Sequence, residues 1–275
     1  MDFNTFFICF SGVIDIYGGN GSIVEPRAAL LASHGFVALT LPYFNYKDLT
    51  KYLRAVELEY FVEAINYFSS LEYVQPGISL IGLSFGGGIS LFLSTIENID
   101  LRSVIVIGAP HYFSIPLLWK GHEYPDSFKY EITAGNPDPT IDEYGAMDGC
   151  VLIYDERCKE TTFKLEQSPP HLKYLFIVGE EDGNVRAKQS FELLNKRLVE
   201  HNREHQVQAL VYPRTGHFVD PPHMPQTIFG LYFPGFGIVM RSGGTVQENN
   251  GACRHSWTNM LKFLENNTGN LNSKL

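Results

Sequence analysis

Short, nearly continuous apolar runs alternate with amphipathic runs along most of the chain. Residues 6–10, 36–41, 78–83, 103–107, 174–178 and 207–212 have the composition of strands buried on both faces. Between them, Leu58, Phe61, Val62, Ile65 and Phe68 recur at the helical spacing. So do Ala187, Phe191, Leu194 and Leu198, and later Trp257, Met260, Leu261 and Leu264. Residues 89–96 predict a buried helix that follows the strand 78–83 after a sharp turn. Strand–helix alternation of this kind predicts an α/β fold built on a mostly parallel, doubly wound sheet.

One stretch interrupts the alternation. Residues 111–170 are rich in Pro, Gly, Asp and Tyr and have weak periodicity. They are expected to form an irregular insertion over the carboxyl edge of the sheet. No linker composition appears, so residues 1–275 are expected to form one domain. The uncharged stretch between Glu72 and Glu97 could imitate a membrane span. Its centre, however, reads Gly82-Leu83-Ser84-Phe85-Gly86-Gly87-Gly88, a poor helix interior, and no membrane span is expected.

Composition narrows the partners. With 44% hydrophobic and 13% aromatic residues the chain is too apolar to be disordered. A net charge of −9 and no basic run argue against a nucleic-acid backbone as partner. The four cysteines, Cys9, Cys150, Cys158 and Cys253, show neither zinc-type spacing nor a disulfide framework, as expected of a reduced intracellular protein. The amino terminus lacks the basic region of a signal peptide.

Gly82-Leu83-Ser84-Phe85-Gly86 matches the nucleophile elbow G-x-S-x-G. The motif needs glycines because the serine sits on a strained strand-to-helix turn that neighbouring backbone approaches closely. Its context here is a buried strand before and a helix after, as the elbow requires. An acid and then a histidine should follow. After residues 174–178 comes Gly179-Glu180-Glu181-Asp182-Gly183-Asn184, and after residues 207–212 comes Pro213-Arg214-Thr215-Gly216-His217-Phe218. Both loops fall at carboxyl ends of strands, where open α/β sheets place their sites. Asp182 is the candidate acid, with Glu180 and Glu181 competing and Asn184 the better helix cap. His217 is the candidate base. His111 precedes the acid and His223 lies farther from a strand end.

These residues suit acyl transfer through a covalent intermediate: Ser84 attacks, His217 takes its proton, and Asp182 orients the imidazole. Oxyanion donors are expected from the backbone amide of Phe85 and from the loop after the first strand, residues 11–14, with Val13 chosen. His201-Asn202-Arg203-Glu204-His205 matches the metal pattern H-x-x-E-H but lies at a polar helix end without an obvious third ligand. Gly18-Gly19-Asn20-Gly21 fails the dinucleotide pattern. No metal and no cofactor are expected.

These motifs resemble the catalytic domain of the acyl-coenzyme A thioesterase and bile acid-CoA:amino acid N-acyltransferase family. The matching stretches are GVIDIYG, EYFVEAINYF, PGISLIGLSFGGGISL, FIVGEEDGN, YPRTGHFVDPP and HSWTNMLKFL, spread over nearly the whole chain. The resemblance implies an α/β-hydrolase fold, with the family nucleophile on Ser84, the acid on Asp182 and the histidine on His217. It further implies hydrolysis of fatty acyl-CoA to free acid and CoA. The conjugating branch uses cysteine and passes the acyl group to glycine or taurine, so Ser84 points to the thioesterase branch. Phe85 departs from the small or basic residue usual at that position, and Ser11 stands where proline is usual. Family members also carry residues before the strand at 6–10, so amino-terminal strands are apparently missing here. That leaves two alternatives: an acyl-CoA:amino acid N-acyltransferase, or a truncated, weakly active acyl-binding remnant.

The terminal Ser273-Lys274-Leu275 matches a peroxisomal address. The expected partners are therefore an acyl-CoA substrate and the peroxisomal import receptor. The expected location is peroxisomal, with the cytosol as the alternative.

Overall fold

The computed structural model describes residues 9–52, 55–112, 116–124, 146–147, 163–226, 228–232 and 238–267. The terminal Ser273-Lys274-Leu275, Cys150, Cys158 and most of the segment 111–170 lie outside the described residues.

Six parallel strands form the main sheet. In chain order they are β1 (Gly12–Ile16), β2 (Val37–Thr40), β4 (Ile78–Leu83), β5 (Leu101–Ile107), β9 (Lys173–Gly179) and β10 (Val207–Tyr212). Their spatial order is β10-β9-β5-β4-β1-β2. Two small sheets flank it. One joins β3 (Val56–Glu57), β6 (Leu117–Trp119) and β7 (His122–Tyr124). The other joins β8 (Ala146–Met147), β11 (Phe229–Tyr232) and β12 (Ile238–Arg241).

The period-2 alternation of each strand divides the core into two layers. Ile78 and Leu80 of β4, Val104 and Val106 of β5, and Tyr174 and Phe176 of β9 face one side. There they meet α2 (Leu58–Ser69), α3 (Phe85–Leu93) and α4 (Ala187–Glu200). Ile81, Leu83, Ile105, Ile107, Leu175 and Ile177 face the other side, against α1 (Pro26–Ser33) and α5 (Val246–Asn267). On α2 the buried stripe is Leu58, Phe61, Ile65 and Phe68, as the spacing predicts. Each such side chain contributes about 1.5–3 kcal/mol through burial, which anchors the helix despite its lack of a side-chain cap. Among the described residues no helix is long and apolar enough to cross a membrane.

Three expectations need correction. Residues 11–14 are not a loop: Gly12–Ile16 is the strand β1, between β2 and β4, with Val13 in register with Ala38 and Ser79. Val13 is therefore not an oxyanion donor. Its backbone is committed to the ladders and its side chain is 1% exposed, packed in the core. The preceding Phe10 makes only an isolated bridge to Val74. Second, the helix after the elbow starts at Phe85, not 89, and contains Gly86, Gly87 and Gly88. Close packing on the sheet outweighs the poor helix propensity of glycine at those positions. Third, the described parts of segment 111–170 hold β6, β7, β8 and a 3-10 turn at Leu165–Gln167.

Candidate active site

β1 and β4 are neighbours, but the chain leaves them in opposite directions across the sheet: β1 leads to the edge strand β2, and β4 leads toward β5, β9 and β10. Their carboxyl ends form the switch point at which open α/β sheets bind ligands. Ser84 follows β4 there, and the turn Tyr17–Gly18 follows β1.

Ser84 has φ 55° and ψ −122°, a strained conformation for a residue with a side chain. Its amide donates to the carbonyl of Ile107 at 2.7 Å, and its own carbonyl accepts from Gly87 and Gly88 in the first turn of α3. The flanking glycines are explained by the backbone around them. A Cβ at Gly82 would lie 2.3 Å from the Gly86 carbonyl oxygen, and one at Gly86 would lie 2.1 Å from that of Ile16. The turn after β1 also packs against the elbow, since a Cβ at Gly18 would lie 3.0 Å from Cβ of Ser84.

The other two candidates meet beside this elbow. Nδ1 of His217 lies 2.8 Å from Oδ2 of Asp182. The other carboxylate oxygen of Asp182 accepts the amides of Asn184 at 2.9 Å and Val185 at 3.0 Å. The acid is thus held by its own loop while it faces the imidazole. His217 is 1% exposed, and its Nε2 has no hydrogen-bond partner. A Cβ at Gly108, the residue after Ile107, would lie 3.0 Å from Oδ2 of Asp182 and 3.1 Å from Nδ1 of His217. The end of β5 that holds Ser84 through Ile107 therefore also lies against the Asp182–His217 pair, which the segments after β9 and β10 carry.

Competing residues go elsewhere. Glu180 is paired with Lys188 at 2.7 Å, and Glu181 is exposed. Asn184 does not cap α4; its side-chain amide is buried without a partner. His111 is buried with Nδ1 2.9 Å from the Ser190 hydroxyl, and His223 is exposed. His201 caps the end of α4, whereas Glu204 and His205 belong to a separate 3-10 turn. The H-x-x-E-H pattern thus spans a helix end, and its histidines do not share one helical face. Phe85 opens α3 directly after Ser84, where an amide donor was expected.

Sequence reasoning missed a buried charged cluster beside the site. Arg27 on α1 reaches Asp15 of β1 at 2.7 Å and Asp220, three residues beyond His217, at 3.2 Å. Burial pushes both carboxyl groups above the usual aspartate range, against the pull of Arg27. Tyr17 adds its hydroxyl, 3.4 Å from each oxygen of Asp220, and burial raises that phenol. A lone carboxylate inside Gly12-Val13-Ile14-Asp15-Ile16 was the one signal that could have marked this cluster. Tyr43 was also missed; its hydroxyl donates to the carbonyls of Tyr17 at 3.0 Å and Gly18 at 3.2 Å.

Residues 56–270 match the family described as BAAT / acyl-CoA thioester hydrolase C terminal. Mouse acyl-coenzyme A amino acid N-acyltransferase 1 is 34% identical over 267 residues, covering 97% of this chain and 62% of its own length. Human acyl-coenzyme A thioesterase 1 is 30% identical over 270 residues, covering 94% and 61%. The chain thus spans about three fifths of the length of these curated relatives. Among solved structures, the α/β hydrolase MGS-M1 from a deep-sea metagenome library superposes with a TM-score of 0.55 at 15% identity, over 94% of this chain and 84% of its own. The acylaminoacyl peptidase of Pyrococcus horikoshii reaches 0.59 at 12% identity, over 98% and 39%. These structural likenesses establish the α/β-hydrolase fold.

Proposed function

The chain belongs to the BAAT / acyl-CoA thioester hydrolase family, and on that premise we propose that it hydrolyses acyl-CoA thioesters through a serine acyl-enzyme. The carrying observation is the strained Ser84 elbow beside a buried histidine whose Nδ1 is held by Asp182 and whose Nε2 has no protein partner. In the first half-reaction Ser84 Oγ attacks the thioester carbonyl while His217 Nε2 accepts the serine proton. Asp182 keeps the imidazole in the tautomer with its proton on Nδ1 and stabilises the imidazolium. The proton is then delivered to the departing CoA sulfur, leaving an oxygen ester on Ser84. Water deprotonated by His217 releases the free acid. The Phe85 amide and the turn Tyr17–Gly18 supply the oxyanion donors, the latter in place of Val13.

A second reading is amino acid N-acylation, favoured by the 34% identity to an N-acyltransferase. The nucleophile separates the two: a serine ester is more resistant to amines than a cysteine thioester, so Ser84 favours water as acceptor. The test is release of free CoA from a panel of acyl-CoAs with and without glycine or taurine, with the acyl product identified. Free acid as the main product supports hydrolysis. Mainly amide would support the second reading. No CoA release in any arm would overturn both and favour acyl binding without turnover.

A further inference from the structure

The cluster of Asp15, Arg27, Asp220 and Tyr17 is poorly explained as a source of stability. Two carboxyl groups share one guanidinium in a buried setting, with Asp15 and Arg27 each 1% exposed. The hydrogen bonding is incomplete, since Oδ2 of Asp15 and Nε of Arg27 are buried without partners. Apolar side chains of similar volume would often serve stability as well or better than such a group. A costly polar group that breaks the packing rules is expected where function requires it.

The placement gives the reason. Asp15 lies on β1, two residues before the turn Tyr17–Gly18 that packs against Ser84. Asp220 lies three residues after His217, beyond the strand that leads to both. Arg27, in the first turn of α1, binds both acids and lies 5.7 Å from the centre of the Tyr17 ring. The Tyr17 hydroxyl returns to Asp220. From the opposite side, Tyr43 fixes the carbonyls of Tyr17 and Gly18. One guanidinium thus ties the turn beside the nucleophile to the loop that carries the base.

We propose that Asp15, Arg27, Asp220 and Tyr17 form a positioning brace that sets the Tyr17–Gly18 turn against Ser84 and ties it to the loop that carries His217. The inference rests on the reading of Ser84 as nucleophile and His217 as base. The brace keeps the amide donors of the turn preorganised for the oxyanion. Among the described residues, the titratable groups facing Asp220 are Arg27 from α1, Asp15 from β1, Tyr17 from the turn, His217 from its own loop and Cys253 from α5. His217 also faces Asp182.

The test is the rate of covalent labelling by a serine-directed fluorophosphonate, which requires no acyl-CoA, read beside the melting temperature of each variant. Asp220→Asn keeps the shape and removes the acceptor pair that Arg27 and Tyr17 share. It should slow labelling about tenfold, as expected when a positioning group is lost. Its melting temperature should be unchanged or raised. Tyr17→Phe removes only the hydroxyl and should slow labelling several-fold. Wild-type rates in both variants would overturn the brace, as would losses that merely track lower melting temperatures. A wild-type chain that is not labelled at any pH would instead overturn the reading of Ser84, and this inference with it.

Discussion

Asp182 divides its carboxylate between two tasks: Oδ2 lies 2.8 Å from Nδ1 of His217, while Oδ1 accepts the amides of Asn184 and Val185. The acid side chain is 2% exposed and that of His217 is fully buried. A carboxylate anchored in this way cannot rotate freely, so the imidazole it faces is fixed in one orientation with Nε2 turned away from it. Asp182→Asn should therefore lower turnover by roughly 10²–10⁴-fold by disturbing tautomer and charge. His217→Ala and Ser84→Ala should each lower it by roughly 10⁴-fold or more, because such residues act as a unit. The measurement is single-turnover CoA release; a variant that retains wild-type rate removes its residue from the mechanism.

The acceptor preference should respond to the nucleophile. Ser84→Cys replaces the ester intermediate with a thioester, which amines attack more readily relative to water. The ratio of amide to free acid should therefore rise in the presence of taurine or glycine on the same acyl-CoA. A ratio that does not change would show that the acceptor is selected by something other than the nucleophile.

Two glycine substitutions should move stability in opposite directions. Gly86→Ala forces a methyl group to within 2.1 Å of the Ile16 carbonyl oxygen, backbone that cannot yield cheaply. A loss of about 3 kcal/mol or more is expected, with phosphonate labelling impaired as the elbow shifts. Gly251 lies inside α5 with open space where a Cβ would go. There Gly251→Ala should stabilise by about 0.5–1 kcal/mol. Urea denaturation of both variants gives the comparison, and equal effects would contradict the close approach at the elbow.

Acid should weaken one ion pair selectively. Arg197 donates two hydrogen bonds of 2.6 Å to Glu166. Burial pulls the Glu166 carboxyl upward, but the hydrogen bonds from Arg197 and from its own turn outweigh it and hold the group below the usual glutamate range. The folded state therefore binds this proton less readily than the unfolded chain, so the stabilisation is present above that range and is lost as pH falls through it. With the Arg197 side chain 32% exposed, Arg197→Gln should cost about 1 kcal/mol at pH 7. The difference should shrink toward zero near pH 3 in urea melts. A constant difference across pH would mean that the ion pair contributes nothing.

Much of this protein was legible in the chain because its signals are local. Residues 78–83 and 207–212 coincide with β4 and β10, since apolar runs bounded by turn residues have few alternatives to a strand; β4 is fully buried, whereas β10, at the sheet edge, is half-exposed rather than buried on both faces. Ser84, His217 and the acidic loop 180–182 could be chosen from motif order and strand context, with Asp182 implied within that loop by the family resemblance. The elbow itself is a local backbone requirement that only small flanking residues satisfy. What was misread depended on distant partners. Residues 11–14 looked like a loop because the apolar run at 6–10 precedes them and reads as the first strand. The strand Gly12–Ile16 can bury the Asp15 carboxylate only because Arg27 arrives from α1 and Asp220 from beyond β10. Gly86, Gly87 and Gly88 looked unfit for a helix because propensity describes an isolated segment. Here the helix lies so close to β1 that a Cβ at Gly86 has no room.

By itself, then, the sequence determined the strand–helix order, the parallel sheet, and the serine, the histidine and the acidic loop of the candidate site, because hydrophobic period and turn chemistry act within a few residues. Only the tertiary structure decided which carboxylate faces His217, which turn stands against Ser84, and where the charge of Arg27 is spent. Those choices turn on distances between residues far apart in the chain, such as the 193 positions between Arg27 and Asp220, and no local pattern encodes them.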